Sequence, residues 1–274
     1  PDDKSAMYQK FWPADLHMVG KDILRFHAIY WPAFLMAAGL EPPRRVFAHG
    51  WWTNEGQKIS KSVGNVIDPL HLIERYGLDQ TRYFLLREIP FGNDGDYSHR
   101  GMVQRMTSDL ANGIGNLAQR SLSLINKNCN AAVPQPGAFD DADEALITAA
   151  EETLDKVRGF LQEQAFHKAL ETIWQVIGET DRYVTEQAPW ALRKTDPARM
   201  NTVLYVLAET IRRLGLLLQP VMPHSAAKLL DQLALDGKAR NFTSFGRDHA
   251  LVPGTVLPKP EGVFPRFVEE AAAS

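Results

Sequence analysis

The sequence predicts an α/β fold in its first third and an all-α helical bundle in the rest. Three observations carry that reading. Up to about residue 92, short apolar segments of strand character alternate with loops and short helical patterns. Beyond about residue 100, long helical periodicities run with few strand signals, and clusters such as Pro134, Gln135, Pro136 and Gly137 punctuate them. Open α/β sheets bind ligands at the carboxyl ends of their strands, so candidate site residues are sought there.

Residues 13 to 19 mix apolar and polar groups and then meet Gly20, Lys21 and Asp22, which suits a strand entering a loop and then a helix, with Asp22 placed to cap it. Ile23, Phe26, His27, Tyr30, Trp31 and Phe34 recur at spacings of three and four, the pattern of one helical face, until Gly39. Residues 46 to 52 read as the next strand and a lysine-serine loop follows. Residues 69 to 76 form a short helix closed by Gly77, and residues 79 to 87 another. Residues 93 to 100 are polar and turn-rich and join the halves. Bundle helices are expected near 102 to 128, 141 to 164, 166 to 187, 198 to 218 and 223 to 235, with Pro189 and Pro197 as breaks. In the third of these, Phe166, Leu170, Ile173, Trp174 and Ile177 mark a buried stripe. The tail from Pro253 is rich in proline and glycine, yet Val263, Phe264 and Phe267 give it reason to pack back on the body. This places a first domain at 1 to 92, a linker at 93 to 110, the bundle at 111 to 238 and the tail at 239 to 274.

A chain of 274 residues with 45% hydrophobic content has room for about two domains. Its net charge of −3 gives no overall basic field, so any RNA contact must be a local patch; charge neither supports nor excludes RNA. The single Cys129 excludes an internal disulfide and a cysteine-rich zinc knuckle, and a cytosolic compartment is the simplest reading. The longest apolar runs, such as 214 to 218, fall far short of the roughly 20 residues of a membrane span. No amino-terminal segment has the order of a signal peptide, and residues 11 to 20 already read as the approach to a site, as if the chain began inside a domain.

The densest chemical signal is Lys58, Ile59, Ser60, Lys61 and Ser62, running into Gly64, Asn65, Val66, Ile67, Asp68 and Pro69. Two lysines three apart, with hydroxyls between and after them and glycines at positions 56 and 64, make a cationic clip for a polyphosphate. When the α-phosphorus of ATP is attacked, charge builds on the departing pyrophosphate, and placed ammonium groups stabilise it. Lys61 is the first choice for that role and Lys58 the second. A solvated turn has the same composition; the extension from His49, Gly50, Trp51 and Trp52 through to Asp68 and Pro69 weighs against that reading.

The run Gly20, Asp22, Ile23, Phe26, His27, Trp31 and Pro32, then His49, Gly50 and the lysine-serine loop, then Tyr76, Gly77, Asp79, Arg82 and Tyr83, resembles the methionyl-tRNA synthetase family of class I over nearly all 274 residues. Cysteinyl, leucyl, isoleucyl and valyl synthetases share the loop, but the segment from Gly20 to His27 decides for methionine. The resemblance implies a partial Rossmann-like catalytic half and an anticodon-binding helical bundle. It implies activation of methionine by ATP with Mg2+, and transfer of the methionyl group to tRNA(Met). Lys61 and Lys58 then fall on the phosphates with Ser60 and Ser62 beside them. Gly20 and Asp22 hold the ribose, His49, Gly50, Trp51 and Trp52 lie alongside adenine, and Ile23 and His27 line the methionine side-chain pocket. Positions 23 and 27 are one helical turn apart, so both can face one cavity.

In the bundle, Asn112, Asn116 and Arg120, spaced by four along one helical stripe, match the anticodon-reading helix, and Trp190 matches the tryptophan on which an anticodon base stacks. Val263, Phe264, Pro265 and Arg266 resemble the closing motif, and Ile59 replaces a usual methionine. Each residue also has a plain structural reading: His27 as a core histidine, Asp22 as a cap, Trp51 and Trp52 as sheet core, Asn116 and Arg120 as a solvated face, Trp190 as a capping hydrophobe. No histidine-x-glycine-histidine motif occurs and no metal site is expected. The chain is therefore expected to be the carboxyl-terminal part of the enzyme, inactive without the amino-terminal half of the catalytic domain. The alternatives are a non-catalytic tRNA-binding module, a subunit of a split synthetase, or a class I synthetase for another amino acid.

Overall fold

A computed structural model describes residues 5–60, 62 and 64–269. Two compact units result, Pro1–Ile67 with Glu88–Ser98, and Asp68–Arg87 with His99–Ser274. The helices that follow the lysine-serine loop thus belong to the helical unit, although the linear reading grouped them with the α/β part.

In the first unit, α1 (Ala6–Phe11) is capped by the Ser5 hydroxyl, which accepts the Tyr8 N–H at 3.2 Å. β1 (His17–Gly20) and β2 (Val46–His49) pair in parallel, with Gly20 opposite His49 at their carboxyl ends. Between them run a 3-10 turn Lys21–Ile23, a π-helical turn Phe26–Tyr30 and α2 (Trp31–Ala37). The 3-10 turn has no side-chain cap; Asp22 sits inside its first turn, so the expected capping role is not filled. The apolar face read from the three-four spacing is present but open: Phe26 is 56% and Phe34 66% exposed, while Leu35 is the buried residue of α2.

The strand expected over 46 to 52 breaks in two. After β2 the chain passes Gly50 and re-enters as β3 (Trp52–Asn54), in a separate sheet with antiparallel β4 (Gln57–Lys58) and parallel β5 (Gly95–Tyr97). The segment expected as a joining turn thus supplies a strand. Glu55 and Gly56, both at positive φ (49° and 77°), make the two-residue turn between β3 and β4, the backbone that matches strand twist in tight hairpins.

The second unit contains α3 (Pro69–Tyr76), α4 (Leu78–Arg87), α5 (His99–Arg105), a π-helical segment Met106–Gly115, α6 (Asn116–Asn128), α7 (Asp141–Gln162), α8 (Phe166–Gln187), α9 (Pro189–Thr195), α10 (Pro197–Leu218) and α11 (Pro223–Gln232). Cap chemistry explains the starts. The Asp68 carboxylate accepts the Leu70 N–H with Pro69 at the first helical position, and Asp140 and Asp143 form a capping box for α7. The single helix expected over 102 to 128 is interrupted instead, because Gly113 adopts non-helical angles (φ −83°, ψ −110°) that a residue without Cβ reaches readily. The expected fifth helix ends at Gln232, and α9 was not foreseen because two prolines bracket it.

α10 is the axis of the bundle and is buried on nearly every side, as an all-round apolar helix must be. It nonetheless carries Glu209, Arg212 and Arg213 inside the core. Arg212 bonds Glu209 and donates to the Ser244 and Phe245 carbonyls at 2.7 and 3.1 Å, which ties the chain beyond α11 to the axis. The tail packs back as expected. Leu257 N–H meets the Ala131 carbonyl at 2.7 Å, Glu261 pairs twice with Gln232, and Val263 and Phe264 are buried. Trp174 is only partly buried; its indole N–H reaches the Asp109 carbonyl at 3.3 Å and its ring lies 4.6 Å from that of Tyr83.

Candidate functional sites

The carboxyl ends of β1 and β2 bring Gly20 and His49 side by side, and the chain that leaves each strand builds a polar cradle. Asp94 is its hub. Its carboxylate accepts Lys21 Nζ through both oxygens at 2.7 Å and the Trp51 backbone N–H at 2.8 Å, and these contacts hold it below the usual carboxylate range. Lys21 also sits 4.3 Å over the Trp51 ring, whose indole N–H points at Asp22 Oδ1 at 3.4 Å. Sequence reasoning missed Lys21 and Asp94 because they lie 73 residues apart and only folding joins them.

Two glycines lie close against this packing, and Gly50 is required by it. A Cβ on Gly20 would lie 2.5 Å from Asp22 Oδ1, and one on Gly50 would lie 2.3 Å from the Asn93 carbonyl and 2.5 Å from Asp94 N. The second clash is with backbone and cannot be relieved by a rotamer. Gly50→Ala is therefore expected to push the Asn93–Asp94 strap away and cost about 1 to 3 kcal/mol in a urea melt, the usual range for overpacking. Gly246→Ala, where the added methyl meets open space, should stay within about 0.5 kcal/mol of wild type in the same melt.

The hairpin β3–β4 presents the lysine-serine loop. Asp96 Oδ1 accepts the Thr53 hydroxyl at 2.5 Å and the Gly56 N–H at 2.8 Å, which pins the hairpin to β5. Asn65 closes the loop: its side chain accepts the Ser60 N–H at 2.8 Å and donates to the Lys58 carbonyl at 3.1 Å, while its carbonyl accepts Asn54 Nδ2 at 2.9 Å. Ser60 and Ser62 hydroxyls meet at 2.7 Å. Lys58 is exposed and, with Trp51, Trp52, Thr53, Ile59 and Asp94, lines a pocket of about 330 Å³. Lys61 lies outside the described residues.

A second pocket of about 500 Å³ is lined by His17, Phe26, His27, Tyr30, Trp31 and Phe34. His27 Nδ1 lies 3.0 Å from the Ile23 carbonyl, which can only accept, so the contact places a proton on Nδ1. Ile23 is 39% exposed and does not line this pocket, so the structure brings His27 but not Ile23 to it. Ile23 ends the 3-10 turn and His27 lies inside the π-helical turn, so the two do not share the regular α-helical register that their spacing suggested.

In the helical unit, Asn112 and Asn116 are exposed and flank the break at Gly113, so the stripe with Arg120 is not one straight row. Asn112 Oδ1 accepts Arg266 Nη2 at 3.0 Å, and Asn112 and Asn116 share a shallow pocket with Phe264 and Arg266 of the tail. Arg120 pairs with Asp181 of α8 at 3.1 Å. The Asp181 carboxyl is raised above its ordinary value, since burial outweighs the arginine. Trp190 is 47% exposed at the start of α9. Among the described residues there is no group of three or more His, Cys, Asp or Glu able to hold a metal ion, and no helix is long and apolar enough to cross a membrane.

Residues 133–274 match the sequence profile of the anticodon binding domain of methionyl tRNA ligase, and residues 2–122 that of tRNA synthetases class I (M). The chain belongs to the class I methionyl-tRNA synthetase family. A methionine–tRNA ligase of Mesorhizobium japonicum is 58% identical over 274 residues, covering 100% of this chain and 53% of that protein. Methionyl-tRNA synthetase of Mycobacterium tuberculosis in complex with methionyl-adenylate superimposes with a TM-score of 0.93 at 56% identity, covering 97% of this chain and 53% of that one. Its apo form gives a TM-score of 0.92 at 52% identity, with coverage of 98% and 53%. The chain thus spans about half the length of the curated methionyl-tRNA synthetases it matches. The α/β part with its small sheets and the helical anticodon-binding part follow the family's architecture.

Proposed function

We propose that this chain supplies part of a cytoplasmic methionine–tRNA ligase: the phosphate-binding loop, one wall of the nucleotide and methionine sites, and the anticodon-reading bundle. The observation that carries this is the cradle at the ends of β1 and β2, with the lysine-serine loop held beside it by Asn65 and Asp96. Methionine, ATP with Mg2+, and tRNA(Met) are its substrates. Methionine's own carboxylate attacks the α-phosphorus of ATP, the new O–P bond forms as pyrophosphate leaves, and a terminal ribose hydroxyl of tRNA later displaces AMP from the methionyl carbonyl. Lys58 and Lys61 stabilise the charge on pyrophosphate; no side chain acts as nucleophile.

Gly20 and Asp22 are assigned to the ribose, with His49, Gly50, Trp51 and Trp52 beside adenine and Ser60 and Ser62 at the phosphates. His27 is assigned to the methionine side chain, and Ile23, which lies outside the walls of the His27 pocket, keeps the same assignment from the resemblance alone. Asn112, Asn116 and Arg120 read anticodon bases, and Trp190 stacks on one of them.

The α/β unit does not bury its own faces. β1 and β2 form a two-stranded parallel sheet, an arrangement found in large covered sheets rather than alone, and the adjacent helical face of Phe26, Ile29 and Phe34 is open. We therefore read the active enzyme as needing a further part of the catalytic domain, one that brings the opposite grip on the ATP phosphates. The chain alone is expected to give no methionine-dependent ATP–pyrophosphate exchange above background. Co-expression with the complementary segment of a relative should restore exchange. Robust turnover by the isolated chain would overturn the claim of dependence, and a folded but inactive complex would overturn the catalytic reading. The helical unit, by contrast, is well buried, which favours a tRNA-binding module as the second reading; ATP binding to the assembled complex, lost on substitution in the lysine-serine loop, decides against that module.

A further inference from the structure

Trp190 stands in a corner whose two ends are held by one residue, through its side chain at one end and its backbone at the other. α8 ends at Gln187, Ala188 turns through the left-handed region (φ 41°, ψ 58°), α9 carries Pro189 and Trp190, and Asp196 leads into α10. Left-handed backbone is unfavourable for an alanine, so such a corner persists only where its surroundings hold it.

Arg199, in the first turn of α10, does the holding. Its Nη2 donates to Gln187 Oε1 at 2.7 Å, on the near side of the corner, and its backbone N–H donates to the Asp196 carboxylate at 2.9 Å, on the far side. The same guanidinium makes a two-pronged pair with Asp143, with Nη2 at 2.9 Å from Oδ1 and Nη1 on Oδ2. Asp143 is fully buried and also accepts the Tyr183 hydroxyl and the Asp140 N–H. The amino end of α7, the last turn of α8 and the first turn of α10 therefore converge on one planar cation. A planar, multiply bonded guanidinium fixes orientation as well as distance.

We propose that Arg199 is a positioning residue for Trp190: bonded to Gln187 and anchored on Asp143, it sets the α8–α9 corner so that the indole is already oriented to stack on an unpaired RNA base. The proposal rests on the reading of Trp190 as an RNA-stacking residue. A preset aromatic side chain spares the binding reaction the cost of ordering it, so loosening the corner weakens binding without removing any contact to RNA.

The variant that isolates this is Gln187→Met, which keeps length and apolar stem, removes the acceptor, and leaves the pair of Arg199 with the buried Asp143 intact. The probe is a fluorescein-labelled RNA hairpin carrying the CAU anticodon in its loop, titrated into the full chain. Trp190→Ala should weaken binding about tenfold or more, and Gln187→Met about three- to tenfold. The double variant should bind no more weakly than Trp190→Ala, since the Gln187 effect passes through the indole. In protein labelled with 5-fluorotryptophan, the 19F line of Trp190, assigned by its loss in Trp190→Phe, should shift or broaden in Gln187→Met and stay in place in Gln187→Glu, which keeps an acceptor.

Wild-type affinity in Gln187→Met while Trp190→Ala binds weakly, or losses that simply add, would overturn the proposal and leave the reading of Trp190 standing. Wild-type affinity in Trp190→Ala would overturn that reading and the stacking role built on it. An unmoved 19F line would show separately that Arg199 does not set the corner.

Discussion

Lys58→Ala, made in an enzyme complete enough to form methionyl-adenylate, is expected to slow methionine-dependent pyrophosphate exchange by about 10²- to 10³-fold, the range for removing one preorganised group that meets charge developing in a transition state. The side chain is exposed, sits at the end of β4, and shares a pocket with Trp51 and Asp94. Its backbone is held by Asn65 Nδ2 on its carbonyl, so truncation beyond Cβ removes the ammonium group without releasing the loop. The loss should fall on kcat, with KM for methionine nearly unchanged, because the ammonium group meets a charge that grows only as pyrophosphate departs. Equal losses in kcat and in methionine affinity, with the loop intact, would point instead to a role in shaping the pocket. Substituting Asn65 should mimic part of the effect through loop disorder, and a hydrogen-exchange measurement over residues 58 to 67 separates the two.

The second large effect is structural. Arg212→Met should destabilise the helical unit by about 3 to 5 kcal/mol, the cost of breaking a buried ion pair by removing one partner. Against a typical total of about 5 to 15 kcal/mol, that is a sizeable share of the unit's stability. Arg212 is fully buried in α10, bonds Glu209, and satisfies carbonyls of residues 244 to 246. Its loss leaves Glu209 with Arg213 as cationic partner and takes a donor from the Ser244 and Phe245 carbonyls, while Gly246 keeps the His249 N–H. Arg213 is itself held below the ordinary arginine range by burial, despite Glu209 and Glu151. Urea denaturation followed by circular dichroism reads the effect. The control is Arg158→Met, where an exposed pair with Asp155 at 3.5 Å should leave the midpoint within about 0.5 kcal/mol of wild type. A change in Arg212→Met no larger than in the control would mean that the buried network is neutral for stability.

Much of the bundle was legible because helix starts and stops are written within four residues of themselves. Asp68 and Pro69 open α3 and Gly77 closes it; residues 166 to 187, chosen from apolar spacing, are the bounds of α8. The break at Gly113 was not legible. A lone glycine in a periodic run is compatible with an unbroken helix, and only the packing of Phe264 against Gly115 and of Arg266 on Asn112 shows the crowding around that break.

At the α/β site, the lysine-serine loop stood out by residue type and spacing, and the Gly20 to His27 segment by its resemblance to the family. Asp94 did not, because an aspartate in a turn-rich stretch resembles any solvated turn until the fold sets it against Lys21 and Trp51. Sequence also could not say that Phe26 and Phe34 face outward, since amphipathic spacing marks an apolar face without saying what covers it.

What the sequence alone determined is the long helices of the bundle, several of their caps, and the clustering of lysines, serines and glycines in one loop, all set by interactions between near neighbours in the chain. What the tertiary structure decided is which of them meet: Gly50 against Asn93, Asp94 beneath Trp51, and Arg199 across the corner that carries Trp190. Those meetings depend on closing long loops, and a pattern with a period of a few residues carries no record of them.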